Sequence, residues 1–100
     1  MQNLSKRLKA VASLVKKGSS VADVGTDHGY IPVYLIENDI VSSAIAMDIN
    51  EKPLASCKSL VKAAGFEDVI LTRLSNGLEK LDRGECDTVI IAGMGAELIV

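Results

Sequence analysis

Four short apolar runs, at Val21–Val24, Ser43–Met47, Val69–Leu74 and Thr88–Ala92, recur at intervals long enough to hold a helix. That spacing suits a parallel sheet. Each strand must return to the same end before the next begins, and a helix is the compact way back. Two of the three intervals carry a clear helical signal. Tyr30–Glu37 has Pro32 in its first turn, where a missing N–H costs nothing. Glu51–Ala64 follows Asn50, a candidate cap, with Pro53 in its opening turn and Gly65 at its end. In the third interval Gly77–Leu81 allows one helical turn. Ahead of the first strand, Leu4, Leu8, Val11 and Val15 recur at helical spacing, which predicts an amphipathic helix over 3–17 ended by Gly18-Ser19-Ser20. After Gly93 and Gly95, Glu97-Leu98-Ile99-Val100 reads as the start of another helix. The expected fold is α/β, a parallel sheet with helices on both faces. Val-Ile-Ile-Ala in the fourth strand is apolar throughout, as for a strand covered on both sides. Open sheets of this kind run on for several more units. The chain is therefore expected to be the N-terminal part of a domain, truncated after strand four, with a basic helix at 1–17 and a cofactor-binding βα core at 21–100.

Composition narrows the class. One hundred residues, 48% of them hydrophobic, suffice for one packed domain. No apolar run approaches a membrane span, and Met1-Gln2-Asn3-Leu4-Ser5-Lys6-Arg7 lacks the pattern of a signal peptide, so a soluble cytoplasmic protein is expected. Cys57 and Cys86 stand apart with no Cys or His close by in sequence, which argues against a disulfide framework or a metal site and for two reduced thiols. The formal net charge of −2 conceals an asymmetry. Lys6, Arg7, Lys9, Lys16 and Lys17 fall in residues 1–17 with no acid, and the remainder is strongly acidic. A basic patch on an acidic body suits contact with nucleic-acid phosphates, although a solvated helix face has the same composition.

The loop after the first strand, Gly25-Thr26-Asp27-His28-Gly29, limits the ligand. It lacks the G-x-G-x-x-G spacing of a dinucleotide turn and the Gly-Lys-Ser/Thr of a phosphate loop. Asp23 and Asp27 would repel a pyrophosphate. S-adenosylmethionine has no phosphate, carries an ammonium and a sulfonium, and presents two ribose hydroxyls. Glycines allow close backbone approach, and a carboxylate can pair with the ammonium. Asp48, ending the second strand, is placed for the ribose hydroxyls, and Leu74-Ser75-Asn76-Gly77 after the third for the adenine. Each has a plainer reading: Asp48 as a helix cap, Asn76-Gly77 as an ordinary turn, His28 as a loop histidine held by hydrogen bonds. The coincidence of polar residues after three successive strands favours the cofactor.

Asp23-Val-Gly25-Thr26-Asp27-His28-Gly29-Tyr30-Ile-Pro32, Ala46-Met-Asp48-Ile-Asn50, Ser75-Asn76-Gly77-Leu78 and Ile91-Ala92-Gly93-Met94-Gly95 resemble the TrmK family, bacterial methyltransferases acting on N1 of the adenine at tRNA position 22. The resemblance spans nearly the whole chain. It implies a Rossmann-like class I methyltransferase fold and a tRNA partner. It further implies S-adenosylmethionine bound around Gly25, Asp27, Gly29, Asp48, Ile49 and Asn76; Asp23, Thr26, Ser75, Gly77 and Gly93, in or beside the same loops, are further candidates for the cofactor site. Asp27 replaces the middle glycine of the broad class I loop, and Ala96 stands where the family commonly has a further glycine.

Neutral adenine N1 offers its lone pair without a general base, so the expected task is positioning. Gly93, Met94 and Gly95 would approach the target base, and Lys6, Arg7 and Lys9 the tRNA phosphates. Methylation leaves the base cationic. Asp27, oriented by His28, is the candidate for offsetting that charge, with a cofactor role as its alternative. Tyr30 would either stack on a base or join the core. The rival readings are a class I methyltransferase of a small molecule or protein and a catalytically silent cofactor-binding fragment. Nicotinamide binding is disfavoured by the loop spacing.

Overall fold

The computed structural model describes residues 6–26, 29–91 and 97–99. Its elements run α1 (Lys6–Ser13), β1 (Ser19–Val24), α2 (Tyr30–Glu37), β2 (Val41–Asp48), α3 (Glu51–Ala64), β3 (Ile70–Leu74), β4 (Thr88–Ile91) and β5 (Glu97–Ile99). They form one five-stranded sheet in the order β3-β2-β1-β4-β5. β1 pairs in parallel with β2 and β4, and β2 with β3. β1 is thus the point where strand order reverses, and the crevice beyond its carboxyl end is where ligands of such sheets sit.

The three described helices lie on one face of the sheet, a departure from the expected covering of both. Alternation along the strands separates the faces. Val21, Val41 and Ile90 pack with Val11, Ala12 and Val15 of α1 and with Ile31 and Leu35 of α2. Ala44, Ala46 and Ile70 pack with Val33 of α2 and with Cys57 and Val61 of α3. The opposite face carries Ala22, Val24, Ile45 and Met47, and against it lie Leu81 and Cys86 from the 75–87 connection. Handedness explains the division. The α2 and α3 crossovers step outward from β1 in one direction, whereas 75–87 steps back past β1 to β4. To keep the same hand it must cross on the other face.

That connection contains no helical turn at Gly77–Leu81. It is a series of turns, with Glu79 N–H donating to Asn76 O (3.3 Å) and Leu81 N–H to Leu78 O (3.0 Å). Gly77 and Gly84, both at positive φ, interrupt any longer helical run. The first helix also ends earlier than its apolar spacing predicts. Leu14 and Val15 bond back three residues to Val11 and Ala12, tightening the last turn, and Leu14 is 63% exposed.

The fourth strand is only half covered on one side: Thr88 and Ile90 are buried, Val89 and Ile91 intermediate. Its outer edge is taken by β5, antiparallel, through Val89–Ile99, Ile90–Leu98 and Ile91–Glu97. Residues 97–99 are therefore strand and not the start of a helix, since pairing satisfies the row of N–H and C=O groups on the β4 edge. The other boundaries fall close to expectation. α3 closes on Gly65 in the left-handed region (φ 79), whose N–H reaches Lys62 and Val61 carbonyls.

Candidate functional site

The carboxyl tips of β1, β2 and β3 are tied together by backbone hydrogen bonds. Thr26 N–H donates to Met47 O (2.8 Å), which hooks the loop after β1 onto β2. Ser75 N–H donates to Asp48 O (2.9 Å), which hooks the segment after β3 onto the tip of β2. Gly25 turns the chain at φ 72, a conformation open to glycine at no steric cost, with open space where a Cβ would stand. Gly29 opens α2 at φ 83. A Cβ there would fall onto the Cys57 Sγ, so α2 meets α3 at a contact that admits only hydrogen.

Asp23, 1% exposed, lies within β1 beside Ala46 of β2 and Ile90 of β4. Its Oδ2 accepts from the buried Thr26 Oγ1 (2.9 Å). Its Oδ1 is buried with no hydrogen-bond partner among the described residues. Burial pushes this carboxyl from 3.8 up to about 7, the Thr26 bond opposing and Asp48 adding to the rise. A buried carboxylate oxygen with no partner is costly, and an arriving cation or donor would relieve it.

Asp48 is also buried, and its Oδ1 accepts from Asn50 N–H (3.0 Å). Asn50 is the N-cap of α3 by backbone conformation, yet its side chain makes no capping bond. Next to Asp48, Ile49 is 57% exposed, a large apolar side chain at the strand tips; Leu74, in register with Asp48, and Leu78 are exposed as well. Ser75 is buried and works inside the protein: its Oγ donates to Gly77 O (2.8 Å) and accepts from Lys80 N–H (3.2 Å). Asn76 and Gly77 remain exposed at the turn.

The structure thus brings Asp23, Gly25, Thr26, Gly29, Asp48, Ile49, Ser75, Asn76 and Gly77 to one end of the sheet. Thr26 and Ser75 are turned toward Asp23 and the turn backbone. Asp27, His28, Gly93, Met94 and Gly95 lie outside the described residues. Lys6 and Lys9 are exposed on α1, and Arg7 is described in its backbone alone. Tyr30 is 41% exposed at the start of α2. Sequence reasoning missed Cys57. Its helical spacing from Leu54 and Val61 marks a buried face, but nothing in one sequence places it under Gly29. Burial, with Asp23 and Asp48 adding, pushes its thiol up to about 11.

The residues suit S-adenosylmethionine on chemical grounds: two acidic side chains, an open glycine turn, an exposed apolar side chain, and, among the described residues, a buried Asp23 oxygen with no partner and no cation paired with that carboxylate. Residues 4–100 match a family model described as a methyltransferase domain. The chain is 44% identical over 96 residues to the tRNA (adenine(22)-N(1))-methyltransferase of Bacillus subtilis, a match over 96% of this chain and 40% of that protein. The crystal structure of the B. subtilis m1A22 tRNA methyltransferase TrmK superposes with a TM-score of 0.88 at 40% identity, over 91% of this chain and 39% of that one. A Streptococcus pneumoniae structure described as a tRNA (m1A22) methyltransferase in complex with S-adenosyl-L-methionine gives 0.79 at 41% identity, over 83% and 39%. The chain spans about 40% of the length of the curated relative it matches.

Proposed function

We propose, from the premise that the chain belongs to the methyltransferase-domain family, that it is the cofactor-binding part of an S-adenosylmethionine-dependent enzyme methylating N1 of an adenine in tRNA. The observation that carries this reading is the pair of buried carboxylates, Asp23 and Asp48, near the carboxyl ends of adjacent strands, with Asp23 Oδ1 unpartnered among the described residues. The methyl acceptor rests on the 44% identity to a tRNA (adenine(22)-N(1))-methyltransferase.

When bound, S-adenosylmethionine supplies an activated methyl group. The chain's own residues bind and orient. Asp23 takes the ammonium, and ion pairing stabilises its ionised form against the burial that now opposes it. Thr26 holds the other Asp23 oxygen so that Oδ1 stays free for that contact. Asp48 accepts from the ribose hydroxyls, Ile49 offers its exposed apolar surface to the adenine, and Asn76 and Gly77 meet the adenine edge. Gly25 lets the backbone come close. Asp27 and His28 serve the target base, with Asp27 offsetting the positive charge left by N1 methylation. Gly93, Met94 and Gly95 give that base room, and Lys6, Arg7 and Lys9 contact tRNA phosphates.

The test has two arms. Calorimetric titration with S-adenosylhomocysteine and with NAD should show binding of the first alone. The whole protein should then transfer label from S-adenosylmethionine to tRNA carrying the target adenine and not to tRNA in which that base is replaced. Label appearing on a protein or small molecule with tRNA left unmodified would overturn the substrate. NAD binding in place of S-adenosylhomocysteine would overturn the cofactor.

A further inference from the structure

The connection from β3 to β4 is long, without regular structure, and carries Asn76 and Gly77 at its beginning. Something must hold it against the sheet. Arg73, next to last in β3, pairs in register with Met47 and so projects on the helix-free face where that connection runs. Its guanidinium forms a two-pronged ion pair with Glu85, Nη1 to Oε1 at 2.7 Å and Nη2 to Oε2 at 2.8 Å. The same Nη1 donates to Lys80 O at 2.8 Å. Glu85 Oε1 further accepts from Asp82 N–H at 3.0 Å. Lys80 N–H in turn donates to Ser75 Oγ, and Ser75 N–H to Asp48 O. One continuous chain of hydrogen bonds therefore runs from Glu85 through Arg73, Lys80 and Ser75 to the tip of β2.

We propose that Arg73 is a positioning residue for the nucleoside end of the cofactor: by gripping Glu85 and the Lys80 carbonyl it fixes the 75–85 connection so that Asn76 and Gly77 are presented beside Asp48. This rests on the S-adenosylmethionine reading above. A planar guanidinium is required because only its fork binds both carboxylate oxygens while sparing a donor for the carbonyl; a lysine ammonium makes a single point contact. The segment Asn76–Glu79 is the part of the connection left between the tie points at Ser75 and Lys80. Releasing the Lys80 tie therefore frees the residues aimed at the ligand while the β3–β2 pairing stays intact.

The test compares the whole wild-type protein with Arg73→Lys and Glu85→Gln, all shown folded by circular dichroism. In both variants the Kd for S-adenosylhomocysteine should rise about tenfold, as misplacement of binding groups predicts. The double variant should be no worse than the weaker single one, because both remove the same grip. Amide hydrogen exchange should quicken over 76–80 and stay unchanged in α3, and kcat at saturating S-adenosylmethionine should hold within about twofold. Folded variants with wild-type affinity and wild-type exchange over 76–80 would overturn the proposal. So would loss of folding in both, which would make the pair a stability element. Failure of the wild type itself to bind S-adenosylhomocysteine would instead sink the cofactor reading.

Discussion

Replacing Asp23 by asparagine should make the protein more stable at neutral pH while weakening its cofactor site. The carboxyl is raised from 3.8 to about 7 by burial. An acid whose folded value lies above its unfolded one binds its proton more tightly when folded. Between about pH 4 and pH 7 the unfolded chain has released that proton and the folded chain retains it, so stability falls as pH rises. At 1.36 kcal/mol per decade the whole rise corresponds to about 4 kcal/mol, an upper limit for one fully buried group. The asparagine side chain has the same shape, keeps an oxygen for the Thr26 hydroxyl and carries no charge. Its amide in place of the unpartnered Oδ1 offsets about 1–3 kcal/mol of the gain. The expected net at pH 8 is thus about 1–3 kcal/mol in favour of Asp23→Asn, with no advantage at pH 4, where the wild-type group is already protonated. Urea unfolding followed by far-ultraviolet circular dichroism at pH 4, 6 and 8 measures this. Subtracting the two proteins cancels every other titrating group. Parallel pH profiles for variant and wild type would refute the argument that burial dominates at Asp23. Affinity for S-adenosylhomocysteine should move the opposite way, falling below about pH 7 in the wild type and becoming weak and pH-independent in the variant.

Gly29→Ala should cost about 3 kcal/mol of stability, from the left-handed backbone and the collision with the Cys57 sulfur, and Cys57→Ala in the same chain should recover part of it, both read from urea midpoints. Asp48→Ala should weaken S-adenosylhomocysteine binding about 10- to 100-fold by calorimetry with the fold retained, since a charged acceptor for ribose hydroxyls is lost; unchanged affinity would remove Asp48 from the site. The Cys57 thiol, buried and pushed up to about 11, should react with a thiol-specific disulfide reagent at pH 8 only as fast as the protein unfolds, whereas a rapid native-state reaction at Cys57 would show the site open to solvent.

Where information was local, the sequence alone was enough. α2 and α3 begin and end where proline, glycine and the apolar period say they should, because capping and backbone freedom act within a few residues. The four parallel strands and their order of appearance follow from short apolar runs spaced widely enough for a crossover, two of the three intervals being helical. Asp48 was legible as the acid ending β2, where the apolar run stops, and Asp23 as the acid interrupting the apolar run of β1 one residue before its end. What the tertiary structure decided depends on residues far apart in the chain. No local signal shows that the three described helices share one face, that residues 97–99 turn back to pair with β4, or that Thr26 spends its hydroxyl on Asp23. Nor does any show that Cys57 lies beneath Gly29 or that Arg73 grips Glu85 across twelve residues. Those are outcomes of packing, where one group's shape and charge are satisfied by another that the chain brings near only after it has folded.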